Sequence, residues 1–178
     1  MIIRTCVLLF TLAVPLGAHE TGFPEKTLKG AFPEATGFAA RKKTFTAEQI
    51  KRIEQASGSK LQKNDNPLTF YVALGKTTDG SGVLGTVVVV DARGPKGILD
   101  LVVGFKRDGT VHRVLVVGNK DDPALSADPF LNQFKGKSAQ SSFAVGKDIR
   151  FGGDARSAEA VSGAVRRAMQ LLAAAQGK

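Results

Sequence analysis

The sequence predicts an α+β fold: one domain, with an antiparallel sheet, a short N-terminal helix and a C-terminal helix packed on the sheet. Three observations predict it. Runs rich in Val, Thr and aromatic residues alternate with Asp-Gly turns, the pattern of hairpins. A capping-box pattern opens an amphipathic segment in the first third of the chain. Near the C-terminus an apolar stripe recurs at helical spacing. A length of 178 residues favours one domain, or one domain plus a targeting segment.

The elements follow in chain order. Residues 1–18 read as a signal peptide. Arg4 supplies charge, residues 5–16 are mostly apolar, and Gly17-Ala18 is a small-residue cleavage site with Leu16 and Ala18 at its minus-three and minus-one positions. This run is short of the about 20 apolar residues that a membrane-spanning helix needs, and Pro15 interrupts it. Left uncleaved, it would act as a membrane anchor. Residues 19–30 read as a flexible mature N-terminus and 31–178 as the folded domain. Thr46 and Gln49 form the capping-box pattern, Ile50, Ile53 and Ala56 have helical spacing, and Gly58 can stop the chain: the prediction is a helix over 46–57.

Residues 68–76 and 82–91 read as strands, with Asp79-Gly80 turning between them. Residues 98–106 and 111–118 form the clearest hairpin, joined through 107–110. In its second arm Val111, Arg113, Leu115 and Val117 share one face, and His112, Val114 and Val116 the other. An arm so apolar on both sides predicts a central, covered strand. Residues 119–126 form a loop around Pro123, and 129–134 a short helical turn capped by Asp128, with Pro129 at its first position and Gly136 after it. Residues 147–151 read as a short strand broken by Gly152-Gly153. The last helix ends near Ala175, carries the stripe Val161, Val165, Ala168, Leu172 and Ala175, and begins after Ser157 or after Ser162.

Composition narrows the chemistry. Hydrophobic residues make up 43% of the chain, with 11 Phe, one Tyr and no Trp, so Val, Leu, Ala and Phe build the core. The single cysteine, Cys6, lies inside the predicted signal. The mature chain then has no thiol, which excludes disulfides, thiolate metal sites, iron–sulfur clusters and CxxCH haem attachment. Any redox function would need a cofactor that thiols do not hold. The net charge of +9 is spread over scattered Lys and Arg without interleaved aromatics. That speaks for a solvated basic surface rather than nucleic-acid binding. Its sharper reading is attraction to a phosphate-bearing ligand, an anionic lipid surface or an acidic redox partner.

The two histidines, His19 and His112, form no metal-ligand or catalytic pattern, and the acidic residues show no diagnostic spacing. No residue stands out as an acid, base or nucleophile. One candidate anion site remains. If the last helix begins after Ser162, the N–H groups of Gly163, Ala164 and Val165 lie free at a positive helix end, beside Arg166 and Arg167.

The order of segments resembles a known family. Residues 104–117 (GFKRDGTVHRVLVV), then Lys120-Asp121-Asp122-Pro123-Ala124-Leu125, then 130–137 (FLNQFKGK), then Val161-Ser162-Gly163-Ala164 are similar to the extracytoplasmic FMN-binding domain of Rnf-type and sodium-translocating electron-transport subunits and of NosR-like proteins. Phe32-Pro33-Glu34-Ala35 and the helix after Thr46 also fit, so the resemblance covers about 32–176. It implies an FMN-binding electron carrier or binding protein rather than a stand-alone enzyme, exported to the periplasm or another extracytoplasmic compartment. Its implied partner is a membrane redox complex or another electron-transfer protein, with association at the membrane surface.

The family loop usually reads Glu-Thr-Pro-Gly-Leu; here it is Asp121-Asp122-Pro123-Ala124-Leu125, and the resemblance places Asp122, Pro123, Ala124 and Leu125 at the flavin ring. The family segment Ser-Gly-Ala-Thr, whose Thr is esterified to the FMN phosphate, corresponds to Ser162-Gly163-Ala164-Val165. Valine has no hydroxyl, so that ester cannot form. Three readings follow: FMN held non-covalently by Ser162, Gly163, Ala164, Val165, Arg166 and Arg167; a flavin-free adaptor or binding module of an electron-transport or maturation complex; or Val165 as plain core, compatible with either.

Overall fold

Alternating β-branched residues and tight turns make this chain fold back on itself strand by strand. The computed structural model describes residues 24–177. Strands β1 (Gly37–Lys43), β2 (Leu68–Leu74), β3 (Val83–Arg93), β4 (Ile98–Lys106) and β5 (Val111–Asn119) pair in sequence order, each antiparallel to its neighbours. Helix α1 (Glu25–Ala31) precedes the sheet, α2 (Ala47–Ser57) lies between β1 and β2, and the short α3 (Asp128–Leu131) and long α4 (Ala155–Ala175) follow it. The α+β architecture is as the sequence predicts.

Alternation along the strands divides the core in two. Val88, Val90, Leu101, Val103 and Val114 face α2 and α4 in the larger cluster. Tyr71, Val87 and Val102 face α1 in the smaller one, beneath Leu28 and Phe32. Phe32 lies over Gly85 and Gly104, where side chains would collide with it. Helix α2 begins as expected: Thr46 accepts the Gln49 N–H at 3.3 Å, Gln49 Oε1 accepts the Thr46 N–H at 3.0 Å, and Gly58 closes the helix at a φ of 67°.

Outside the start of the last helix, the structure differs from the sequence reading at five points. Strand β1 was not expected: Gly37-Phe38-Ala39-Ala40 followed by Arg41-Lys42-Lys43 has weak strand propensity, and pairing with β2 makes it a strand. Residues 25–30, read as flexible, belong to α1, because Leu28 and Ala31 bury against the sheet. Strand β5 is an edge strand, not a central one. The main core takes Val111 and Val114, Leu115 and His112 pack toward α1 and Phe32, and Val117 stays exposed, while residues 136–137 cover the start of the strand's outer edge. There the Val111 N–H donates to the Lys137 carbonyl at 2.8 Å and the Gly136 N–H to the Val111 carbonyl at 2.7 Å. Residues 147–151 make only one isolated bridge, Val145 to Ile149. Helix α3 begins at Asp128 itself, with Ala127 in the cap position and no side-chain cap bond. The predicted signal peptide lies outside the described residues. No helix among the described residues is long and apolar enough to cross a membrane.

Candidate functional site

Asp154 starts α4. Its side chain accepts the Arg156 N–H at 3.0 Å, and 21 residues of helix follow. This start lies before both positions expected from the sequence. Ser162 therefore stands eight residues into the helix, about 12 Å along its axis. The N–H groups of Gly163, Ala164 and Val165 belong to the helical ladder, so the free-donor argument for an anion site at 162–165 no longer holds. Ala164 and Val165 are fully buried in the main core, and Ser162 is buried with its Oγ lacking a hydrogen-bond partner. Val165 is core, as the third reading of that position has it.

Arg167 is 2% exposed and committed elsewhere. Its Nε donates to Asp65 Oδ2 at 2.7 Å, its Nη1 to Ser59 Oγ at 2.8 Å, and its Nη2 to the Asp91 carbonyl. Burial pushes the Asp65 carboxyl above its ordinary value, against the pull of the Arg167 guanidinium. Arg166 sits at the end of α2, donating to the Ala56 carbonyl at 3.0 Å. Val165→Thr is expected to lower stability by about 1–3 kcal/mol, the cost of a poorly paired buried hydroxyl. It should attach no flavin covalently. Chemical denaturation and an acid-precipitation spectrum check both; flavin retained in the pellet would return the phosphate site to 162–165.

A cleft opens instead at the start of α4. Its volume is about 600 Å³, within the roughly 300–1,000 Å³ usual for small-molecule sites. One wall comes from the 3-10 turn Pro123–Ser126 and from α3: Ala124, Ala127, Pro129 and Phe130. The other is the irregular segment before α4: Arg150, Phe151, Gly152 and Gly153. The Phe130 and Phe151 rings meet with centroids 5.1 Å apart. Asp122 lies on the rim and caps the 3-10 turn, accepting the Ala124 N–H at 2.9 Å. Gly153 is needed at its position: a Cβ there would stand 2.7 Å from the Asp122 carboxylate and 2.6 Å from the Phe151 ring.

The loop assigned to the ring from sequence thus enters the cleft through Asp122 and Ala124. Pro123 is not among the lining residues, and Leu125 is fully buried behind them. None of the residues 162–167 lines the cleft. The sequence reading missed Arg150 and Phe151, and it took Gly152-Gly153 for a turn too short to hold a phosphate. An available signal was Gly152-Gly153-Asp154, a break followed by a helix-capping residue.

Asp121 ties the neighbourhood together. Its Oδ1 accepts from Ser157 Oγ and from the Asp122 N–H, both at 2.7 Å, and its Oδ2 accepts the Lys96 N–H at 3.0 Å. Burial opposes its ionisation, but these hydrogen bonds outweigh burial and hold the carboxyl below its ordinary value. Asp154 is held low by the Arg156 side chain and backbone N–H. No hydrogen bond within the described residues uses the N–H groups of Gly152 and Gly153. Both glycines and Arg150 line the cleft.

His112 lies away from this site. Its ring stacks on Phe32 at 4.7 Å, and burial, only partly offset by Glu34, lowers its pKa. Among the described residues no group of three His, Cys, Asp or Glu could hold a metal ion.

No family model matches this chain, and no curated protein matches it. Among solved structures, the crystal structure of Shewanella oneidensis NqrC is similar, with a TM-score of 0.42 and 18% sequence identity. The match covers 79% of this chain, which spans 66% of the NqrC chain. A likeness this distant transfers no activity to the chain.

Proposed function

We propose that this chain is an extracytoplasmic electron-transfer protein that binds FMN non-covalently in the cleft lined by Ala124, Pro129, Phe130, Arg150 and Phe151. The cleft is the observation that carries the reading. Its apolar walls suit a flat aromatic ring, and Arg150 with the free N–H groups of Gly152 and Gly153 suits a phosphate or a polar ring edge. The apolar lining and these donors fit the group, against the carboxylate of Asp122 beside Gly153. None of the lining side chains (Asp, Ala, Pro, Phe, Gln, Arg and Gly) carries a hydroxyl, which supports non-covalent attachment. The segment order set out in the sequence analysis supports the same ligand.

When bound, FMN supplies reversible one- or two-electron transfer. The touching rings of Phe130 and Phe151 would form an apolar surface against the flavin and exclude water from that side, Arg150 would oppose negative charge, and Asp122 would fix the loop that carries Ala124. Export rests on the signal-like residues 1–18. The proposed partner is a membrane redox complex or another electron-transfer protein.

One observation favours the flavin-free adaptor as a second reading. Asp121, Asp122 and Asp154 gather at the start of α4 and oppose a phosphate there.

The test is an absorption spectrum of protein from its native compartment, repeated on supernatant and pellet after acid precipitation, followed by titration with FMN. Flavin in the supernatant is the expected result. Arg150→Ala should weaken FMN binding about tenfold, the loss of one charge-assisted bond of roughly 1.5 kcal/mol. No binding by the wild-type chain in excess FMN would favour the adaptor.

A further inference from the structure

We infer that Gln133 is a positioning residue of the cleft, a side-chain clamp that holds its Arg150–Gly153 wall against α3; the consequence for ligand affinity rests on the FMN reading above. Gln133 Oε1 accepts the Arg150 N–H at 2.7 Å, and Gln133 Nε2 donates to the Arg150 carbonyl at 2.8 Å. One side-chain amide thus makes with Arg150 the two bonds that a neighbouring strand would make. Longer contacts from Nε2 to the Pro129 and Phe130 carbonyls, at 3.3 and 3.4 Å, tie the same amide back to its own turn.

Among the described residues no strand pairs with this wall. Residues 150–153 belong to no strand or helix, yet they place the Arg150 side chain, the Phe151 ring and two free N–H groups at the cleft. The clamp needs a donor and an acceptor at the same distance from the backbone. Glutamine supplies both. An ionised glutamate supplies only acceptors and would set one of them against the Arg150 carbonyl. Leucine supplies neither.

This chemistry gives the test a signature beyond lost stability. Amide hydrogen exchange at Arg150 is measured in wild type, Gln133→Leu and Gln133→Glu without ligand, together with FMN titrations. Both variants are expected to exchange the Arg150 amide at least tenfold faster at neutral pH and to bind FMN at least tenfold more weakly, while amides of β3 and β4 stay protected. As pH falls through about 4.3, the ordinary glutamate value, Gln133→Glu gains an O–H donor and should recover relative to wild type at the same pH. Gln133→Leu should not. Unchanged Arg150 exchange in Gln133→Leu, or equal behaviour of the two variants at low pH, would overturn the clamp. A wild-type chain that fails to bind FMN overturns the flavin reading alone, and faster Arg150 exchange in Gln133→Leu still supports the clamp.

Discussion

Replacing Arg167 with alanine is expected to destabilise the fold by about 3–5 kcal/mol, the usual cost of stranding one member of a buried ion pair. For a chain of this size that corresponds to roughly 10 °C or more in Tm. The reason lies in what one guanidinium holds. It joins α4 to Asp65 in the turn before β2, to Ser59 after α2 and to the Asp91 carbonyl on β3. Removing it leaves the carboxylate of Asp65, itself 1% exposed, without its counter-charge, and its Oδ1 already lacks a hydrogen-bond partner. Asp65 also accepts the Gln62 N–H at 2.7 Å, so the informative rescue is Arg167→Met with Asp65→Asn. That pair removes both charges and keeps an acceptor for Gln62. Urea denaturation should show the double variant recovering a large part of the loss. If Arg167→Ala alone costs under 1 kcal/mol, the ion pair does not anchor α4.

The second large effect is expected at Gly85 in β3. Gly85→Ala should cost about 3 kcal/mol, the upper end of the range for overpacking a dense core. A Cβ there would stand 2.2 Å from the Phe105 carbonyl oxygen and 2.5 Å from the Phe32 ring. The ring could swing aside, but the carbonyl belongs to β4, which pairs with β3 from Gly85–Lys106 to Arg93–Ile98. Relief means parting two strands. The penalty should therefore persist when Phe32→Leu removes the ring from the same site. A Gly85→Ala variant that becomes neutral in that background would show that the ring, and not the backbone, was the obstacle.

These two positions also show where sequence reading stops. Arg167 looks on paper like half of a basic pair, Arg166-Arg167, available to a phosphate. Only the fold reveals that successive helix positions turn 100° apart, sending Arg167 inward to Asp65, 102 residues away, and Arg166 outward to the end of α2. In the same way the letters Ser162-Gly163-Ala164 match a phosphate-binding segment, but helix α4 starts at Ala155 and carries them into its interior. The cleft was half legible. The loop at Asp122 and Ala124 was picked out; its opposite wall at Arg150–Gly153 was not, because residues 150–153 have no periodicity and take their place from a glutamine on another segment.

What the sequence determined by itself is local. The capping box at Thr46, the hairpin of β4 and β5, the strands β2 and β3 and the apolar stripe of α4 follow from side-chain period and cap chemistry over a few residues, and the α+β class follows from them. What the tertiary structure decided is non-local. Strand β1 exists because β2 pairs with it, β5 lies at an edge yet buries Val111 and Val114, α1 forms because the sheet buries Leu28 and Ala31, and the cleft exists because an amide, an aspartate and two phenylalanines from separate segments meet. Pairing and burial between distant residues set these features, and neither leaves a periodic trace in the chain.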